Sequence, residues 1–257
     1  MSKFDNSKTF DPILDDYAFF ETHSTEAEND LRAYAAHLTE INKENGRIRM
    51  LDFGSGTGSF TSAFLGQTGW LPGNLELWLI EPGEKSREQA LKTLVPFTTQ
   101  PILHFPALPP NLSVGFELIL TNHVLYYVSD LAQTIEQLSG HLNPGGRWLN
   151  SMAGMENTLI QCWAAGFGLI GETIPYHTAE DFQAVLDQMK LSYQRESVAF
   201  TIVFPDSIEN RLKILRFLFG KQLTDIPQAP LLQFFDPYLE AGEIRIDTQH
   251  YLYVVWV

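Results

Sequence analysis

A single cysteine, Cys162, stands among 257 residues, which excludes an internal disulfide and a metal cluster built on thiolates. Its surroundings, LIQCWAAGFG, suit a packed thiol. No apolar run reaches the length of a membrane-spanning helix, and the opening MSKFDNSKTFDPILDD lacks the charged-then-apolar layout of a signal peptide. A soluble, cytoplasmic protein without membrane contact is expected. Basic residues are scarce: 17 Lys and Arg face 31 Asp and Glu, a net charge of −14 that works against binding DNA or RNA and favours a small cation. The seven histidines form no H-x-x-x-H or H-E-x-x-H motif, so no bound metal is expected. No Ser/His/Asp order or Cys/His pair suggests a covalent nucleophile, and no internal repeat is visible.

What the chain does have is glycine in one place. The run Arg49 to Phe60, RMLDFGSGTGSF, is an apolar strand ending in an acid, followed by Gly54, Gly56 and Gly58. Glycine tolerates backbone angles closed to other residues, so such a loop lets a ligand lie against bare peptide groups. A dinucleotide fingerprint needs its third glycine at position 59, where this chain has Ser59, and Gly58-Ser59-Phe60 lacks the Gly-Lys-Ser/Thr of a P-loop. About twenty residues on, Leu75 to Glu81 is an apolar run ending in Glu81, placed to accept the hydroxyls of a ribose at the crevice of an open sheet. Phe116 to Tyr127, FELILTNHVLYY, reads as a buried strand entering a polar turn.

A length of 257 residues with 44% apolar content suffices for one main domain with additions. From Arg47 the pattern predicts strand 48–53, helix 57–66, strand 75–81, helix 83–93, strands 101–105 and 116–121, helix 130–141 and strand 146–152. Such alternation gives an α/β fold, a doubly wound and mostly parallel sheet. Ser197 to Phe204 and Tyr251 to Val257 are expected to close it as an antiparallel pair. Thr178 to Met189 reads as a helix capped by Thr178 and Asp181, and Ile208 to Phe219 as another. Upstream, about Asp11 to Asn42 reads as helical, with Thr22 or Ser24 as cap and Glu26 in the first turn. Residues 1–46 form an N-terminal arm and 47–257 the main domain; the arm, residues 152–176 and residues 205–247 make up a substrate cap.

The order of glycine loop, Glu81, Asn122-His123 turn and LNPGGRWL resembles the class I S-adenosylmethionine-dependent methyltransferases over roughly residues 47 to 150. That resemblance implies a seven-stranded Rossmann-like sheet and S-adenosylmethionine as cofactor, with S-adenosylhomocysteine as product. It assigns Gly54, Ser55, Gly56, Gly58, Glu81, Pro82 and Asn122 to the cofactor. The loop ILHFPALPP, residues 102–110, lacks the acid that many members place near the adenine. The segments FFETHSTE, HVLYYVSD and YLYVVWV further resemble histamine N-methyltransferase and its relatives, in which a glutamate like Glu26 and a Leu-Tyr-Tyr segment like Leu125 to Tyr127 serve the substrate. Trp163 is a further aromatic wall by the same likeness. Where those relatives place an asparagine before the last strand, this chain offers Thr248, Gln249 or His250, so His250 becomes the polar candidate there. A monomer is expected from the resemblance, with a dimer as the alternative.

A sulfonium methyl group is already activated, so the task is to align a neutral nucleophile with the S–CH3 bond. Catalytic roles fall to Glu26 as anchor of a cationic group, His123 as proton acceptor and Tyr127 as aromatic wall; Tyr126, Trp163 and His250 join Glu26, His123 and Tyr127 in binding the substrate. Each residue has a plainer reading: Glu26 as a helix-start acid, His123 as a turn histidine, the tyrosines as packing. The expected function is methyl transfer to the nitrogen of a small amine or imidazole-like acceptor. A natural-product O-methyltransferase, a non-catalytic cofactor-binding protein and, last, a dehydrogenase stay open as alternatives.

Overall fold

The computed structural model describes residues 8, 10–38, 41 and 46–257. Two helices, α1 (Leu14–His23) and α2 (Glu26–His37), precede the sheet. The chain breaks between them because Ser24 is extended and bridges Ile202, and the Ser24 hydroxyl accepts the Glu26 amide at 3.1 Å. Thr22, the other candidate cap, turns back on its own helix and donates to the Ala18 carbonyl. Of the expected helical stretch to Asn42, residues 39, 40 and 42 lie outside the described residues.

The sheet is built from β1 (Ile48–Phe53), β2 (Leu75–Ile80), β3 (Leu103–Phe105), β4 (Phe116–Asn122), β5 (Leu142–Met152), β6 (Ser192–Pro205), β7 (Leu239–Glu240) and β8 (Glu243–Trp256). The order is β3-β2-β1-β4-β5-β8-β6, with the two-residue β7 paired to β8. The first five are mutually parallel, and β8 runs antiparallel to both β5 and β6. Between strands come α3 (Ser59–Thr68), α4 (Glu84–Leu94), α5 (Leu131–Gly140), α6 (Thr158–Gly168), α7 (Ala179–Met189), α8 (Ile208–Phe219) and the short α9 (Gln228–Gln233). The strand signals at 48–53, 75–81 and 116–121 match to within a residue, because a parallel strand buried on both faces needs an unbroken apolar run. The closing pair is longer than its β-branched segments indicated, since fourteen residues of each strand pair from Ser192 with Trp256 to Pro205 with Glu243.

Alternate residues feed opposite faces. Met50, Leu118, Leu149 and Val254 join one apolar cluster with Tyr34, Phe64 and Leu77, while Leu51, Ile119, Trp148 and Val255 join the other with Phe182, Phe204 and Phe219. Helix starts carry their own caps: Asp130 accepts the Gln133 amide at 2.9 Å, Ser207 the Asn210 amide at 3.1 Å, and Asp181 the Thr178 amide at 2.8 Å. On the second face α1 packs against α8, with Phe20 stacked on Phe217 at 4.4 Å and Asp16 paired to Arg216 at 2.9 Å. No helix among the described residues is long and apolar enough to cross a membrane.

Candidate active site

A cavity of about 800 Å³ opens at the C-terminal ends of β1, β2 and β4, the end where ligands of open α/β sheets bind. Its floor is the glycine loop. Gly54, Gly56 and Gly58 adopt φ of 84°, 52° and 78°, the left-handed region the sequence reading required of them. Their duties differ. A side chain on Gly54 would run into Val124, and one on Gly58 would come within 3.1 Å of Ala90 on α4, whereas Gly56 has no neighbour in that direction. Gly54 and Gly56 line the cavity, while Gly58 packs the loop against α4. Ser55 does not line it, yet its buried hydroxyl has no hydrogen-bond partner among the described residues.

Glu81, one residue past β2, accepts the Gly56 amide at 2.9 Å through Oε2 and the Gly83 amide at 2.7 Å through Oε1. Burial raises its pKa, and these two amides oppose the rise. Pro82 and Asn122 also line the cavity, with the Tyr34 hydroxyl 2.8 Å from Asn122 Oδ1. The third strand-end loop contributes Pro106, Ala107 and Leu108, an apolar slot without an acid. These residues fit S-adenosylmethionine: a carboxylate for the ribose hydroxyls, the bare peptides of Gly54 and Gly56 for the amino-acid part, and an apolar slot for the base.

The opposite end of the cavity is ionic. α2 is pinned to β6 where the Thr25 amide donates to the Thr201 carbonyl and the Thr201 amide to Thr25 Oγ1, each at 3.0 Å. The helix thereby carries Glu26 and Asp30, one turn apart, to the end of β4. There His123 sits in a left-handed conformation with φ 53°. Its Nε2 is 3.1 Å from Asp30 Oδ2 and 3.8 Å from Glu26 Oε1, and its Nδ1 is 3.1 Å from the Tyr126 hydroxyl. Although burial disfavours its charged form, Glu26 and Asp30 raise the pKa of His123 to about 9. At neutral pH it is an imidazolium and holds its proton. Held this way, His123 lies between the two carboxylates and pairs with both.

Burial raises the pKa of Glu26, helped by Asp30 and opposed by the two imidazoles. Asp30 is held well below the usual carboxylate range: burial pushes up, and His250 and His123 overcome it. The Tyr126 hydroxyl accepts the Ala153 amide at 2.5 Å, and Tyr126, Tyr127 and Trp163 form mutual ring contacts of 5.6, 5.7 and 6.3 Å while lining the cavity. His250 is placed differently from the expectation. It lies on β8 opposite Val198, is fully buried, does not line the cavity, and meets Asp30 Oδ1 through Nε2 at 2.5 Å.

Sequence reasoning missed Asp30, the residue that joins both imidazoles; its i+4 spacing from Glu26 was the available signal. Tyr17, Phe20, Phe217 and Lys8 also reach the cavity unforeseen, from segments with no local motif. Lys8 Nζ lies 5.2 Å from the Tyr127 ring centre and 4.9 Å from that of Phe217. Burial lowers the Lys8 pKa to about 7. Without any local histidine motif, folding gathers donor atoms of Glu26, His123 and His250 within 4.8 Å of one another, from three distant segments.

Comparison with known proteins agrees with this geometry. The fold is similar to that of the YcgJ protein from Bacillus subtilis, with a TM-score of 0.56 at 13% identity over 89% of this chain and 98% of that one. It is also similar to the plantazolicin methyltransferase BpumL, solved with a pentazolic desmethylPZN analog and SAH, with a TM-score of 0.55 at 14% identity over 95% and 90% of the two chains. No curated protein matches the chain in sequence. A family model described as a methyltransferase domain matches residues 24–193, which span Glu26, the glycine loop, Glu81 and His123, and the chain belongs to that family.

Proposed function

We propose that this enzyme transfers the methyl group of S-adenosylmethionine to the nitrogen of a small amine or imidazole-like acceptor. The supporting observation is the charge of the cluster facing the cofactor loop. Two carboxylates, Glu26 and Asp30, face the His123 imidazolium in a buried site, and His250 is bonded to Asp30 through Nε2. Such a site calls for one cationic group. An ammonium group docks on Glu26, whose burial-raised pKa suits it to take the proton. S-adenosylmethionine held on the glycine loop and Glu81 would supply an activated methyl group to the freed lone pair, and the aromatic faces of Tyr126, Tyr127 and Trp163 would stabilise cationic groups beside it. The reading includes a monomeric enzyme working in the cytoplasm.

The test is to incubate the protein and cofactor with panels of alkyl amines, imidazoles, carboxylic acids and phenols, and to look for a gain of one methyl group by mass spectrometry. Methylated amines or imidazoles are expected. Methylation confined to acids or phenols would make the protein an O-methyltransferase, and cofactor binding without any transfer would remove the catalytic reading. Glu26→Gln is expected to raise the acceptor KM by ~10-fold or more while leaving cofactor affinity unchanged, since only the charged partner of the acceptor is lost.

A further inference from the structure

His250 presents a puzzle that hydrogen bonding within the protein does not solve. Its Nε2 is held by Asp30 Oδ1 at 2.5 Å, which places a ring hydrogen there, and in the neutral ring the lone pair is then on Nδ1. That Nδ1 is fully buried and has no hydrogen-bond partner among the described residues. It faces Glu26 Oε1 at 3.8 Å, so two acceptors confront each other in a buried space. His123 Nε2 lies 3.8 Å from the same Glu26 oxygen and 3.1 Å from Asp30 Oδ2, so an ion bound there takes the place of the proton that His123 shares with Asp30, and that proton leaves to solvent. A buried acceptor left unpaired is costly, and a carboxylate opposite it adds repulsion. A cation between them satisfies both.

The spacing suits a metal ion. Donor atoms bound at ~2.0–2.2 Å to one tetrahedral zinc-class ion stand about 3.3–3.6 Å apart, so the 3.8 Å distances from both imidazoles to Glu26 need to close by only a few tenths of an ångström. We propose that Glu26, His123 and His250 form a binding site for a divalent first-row transition ion. Two imidazole nitrogens with one carboxylate oxygen favour a borderline ion such as zinc over magnesium or calcium, which take oxygen ligands. Asp30 is the positioning residue. Its carboxylate holds the non-ligating nitrogen of His250, the arrangement that fixes ring orientation in many metal sites, and the Ser151 hydroxyl in turn donates to it at 3.2 Å. Glu26 and His123 line the cavity, so the ion's remaining positions face the acceptor space. Cys162 is fully buried on α6 and offers no competing thiolate.

This site does not rest on the proposed methyl acceptor. An ion on Glu26 occupies the carboxylate that an ammonium group needs, so ion and acceptor compete. The test is calorimetric titration of the untagged, chelator-stripped full chain with zinc chloride, and separately with magnesium chloride. One saturable zinc site is expected, with magnesium binding far weaker. His123→Asn is the discriminating variant, because asparagine accepts the positive φ of this position and a thermal melt reports whether the fold survives. It should lose the zinc site, as should Glu26→Gln, while Asp30→Asn weakens zinc by ~10–100-fold. His104→Asn, on an exposed residue of β3, should bind zinc as the parent does.

No stoichiometric zinc binding, or zinc affinity unchanged in folded His123→Asn and Glu26→Gln, would overturn the site. Magnesium binding tighter than zinc would overturn its assignment to a transition ion. Zinc binding with no methylated amine would overturn only the acceptor reading, and amine methylation without zinc binding only the metal site.

Discussion

Replacing His123 with asparagine should remove a specific part of the pH dependence of folding stability. The imidazole titrates near 6.5 in an unfolded chain and at about 9 beside Glu26 and Asp30. That difference corresponds to about 3 kcal/mol of extra affinity for the proton in the folded state. The sign follows from which state holds the proton more tightly. Below pH 6.5 both states are protonated and the stabilisation is fully present; it is lost as the pH rises through about 9. Other groups titrate nearby with different signs. Burial lowers Lys8 to about 7, so its contribution to stability grows as the pH rises above that value, and burial raises Asp52 to about 7, so its contribution declines toward it. Both are retained in the variant, and the difference between proteins removes them. Urea unfolding of parent and His123→Asn at pH 6.5 and 9 is the assay, and the gap between the two stabilities should shrink by about 3 kcal/mol at the higher pH. A gap that stays constant across the window would show that His123 is not held as an imidazolium by its two carboxylates.

Three further outcomes follow from the site and core. Glu81→Ala should weaken S-adenosylhomocysteine binding by about 1.5–3 kcal/mol in calorimetry, because a ribose loses a charged partner and the Gly56 and Gly83 amides lose their acceptor; unchanged affinity would move the ribose elsewhere. Gly54→Ala should lower the melting temperature more than Gly56→Ala, since both residues have positive φ but only Gly54 would drive a methyl group into Val124. Cys162 is fully buried, and burial pushes its thiol pKa well up, so a thiol-specific reagent should label the protein only as fast as it unfolds; rapid labelling of native protein would contradict its place in the core.

The parts of the site that were legible are those made by short stretches of chain. The glycine loop reads directly because φ of 84°, 52° and 78° is a demand on single residues that glycine meets. Glu81 reads because it follows a buried strand by one residue, and in a parallel sheet that position is the crevice. The Tyr126, Tyr127 and Trp163 wall required the family likeness, since aromatic residues at these spacings are equally at home in a core. Asp30 stayed hidden for a different reason. Its i+4 spacing from Glu26 puts the two acids on one face of α2, and only the pinning of α2 to β6 by Thr25 and Thr201 turns that face toward β4 and β8.

By itself the sequence determined the alternating α/β order, the cofactor-facing loop and the acid beside it, because each rests on local backbone angles and strand burial. Tertiary structure alone decided that His123 and His250, 127 positions apart by number, share one carboxylate of Asp30, and that His250 lies behind Glu26 instead of in the cavity. Proton affinity and ligand geometry depend on distances of a few ångströms between charges, and the sheet order β4-β5-β8 with α2 laid across it sets those distances.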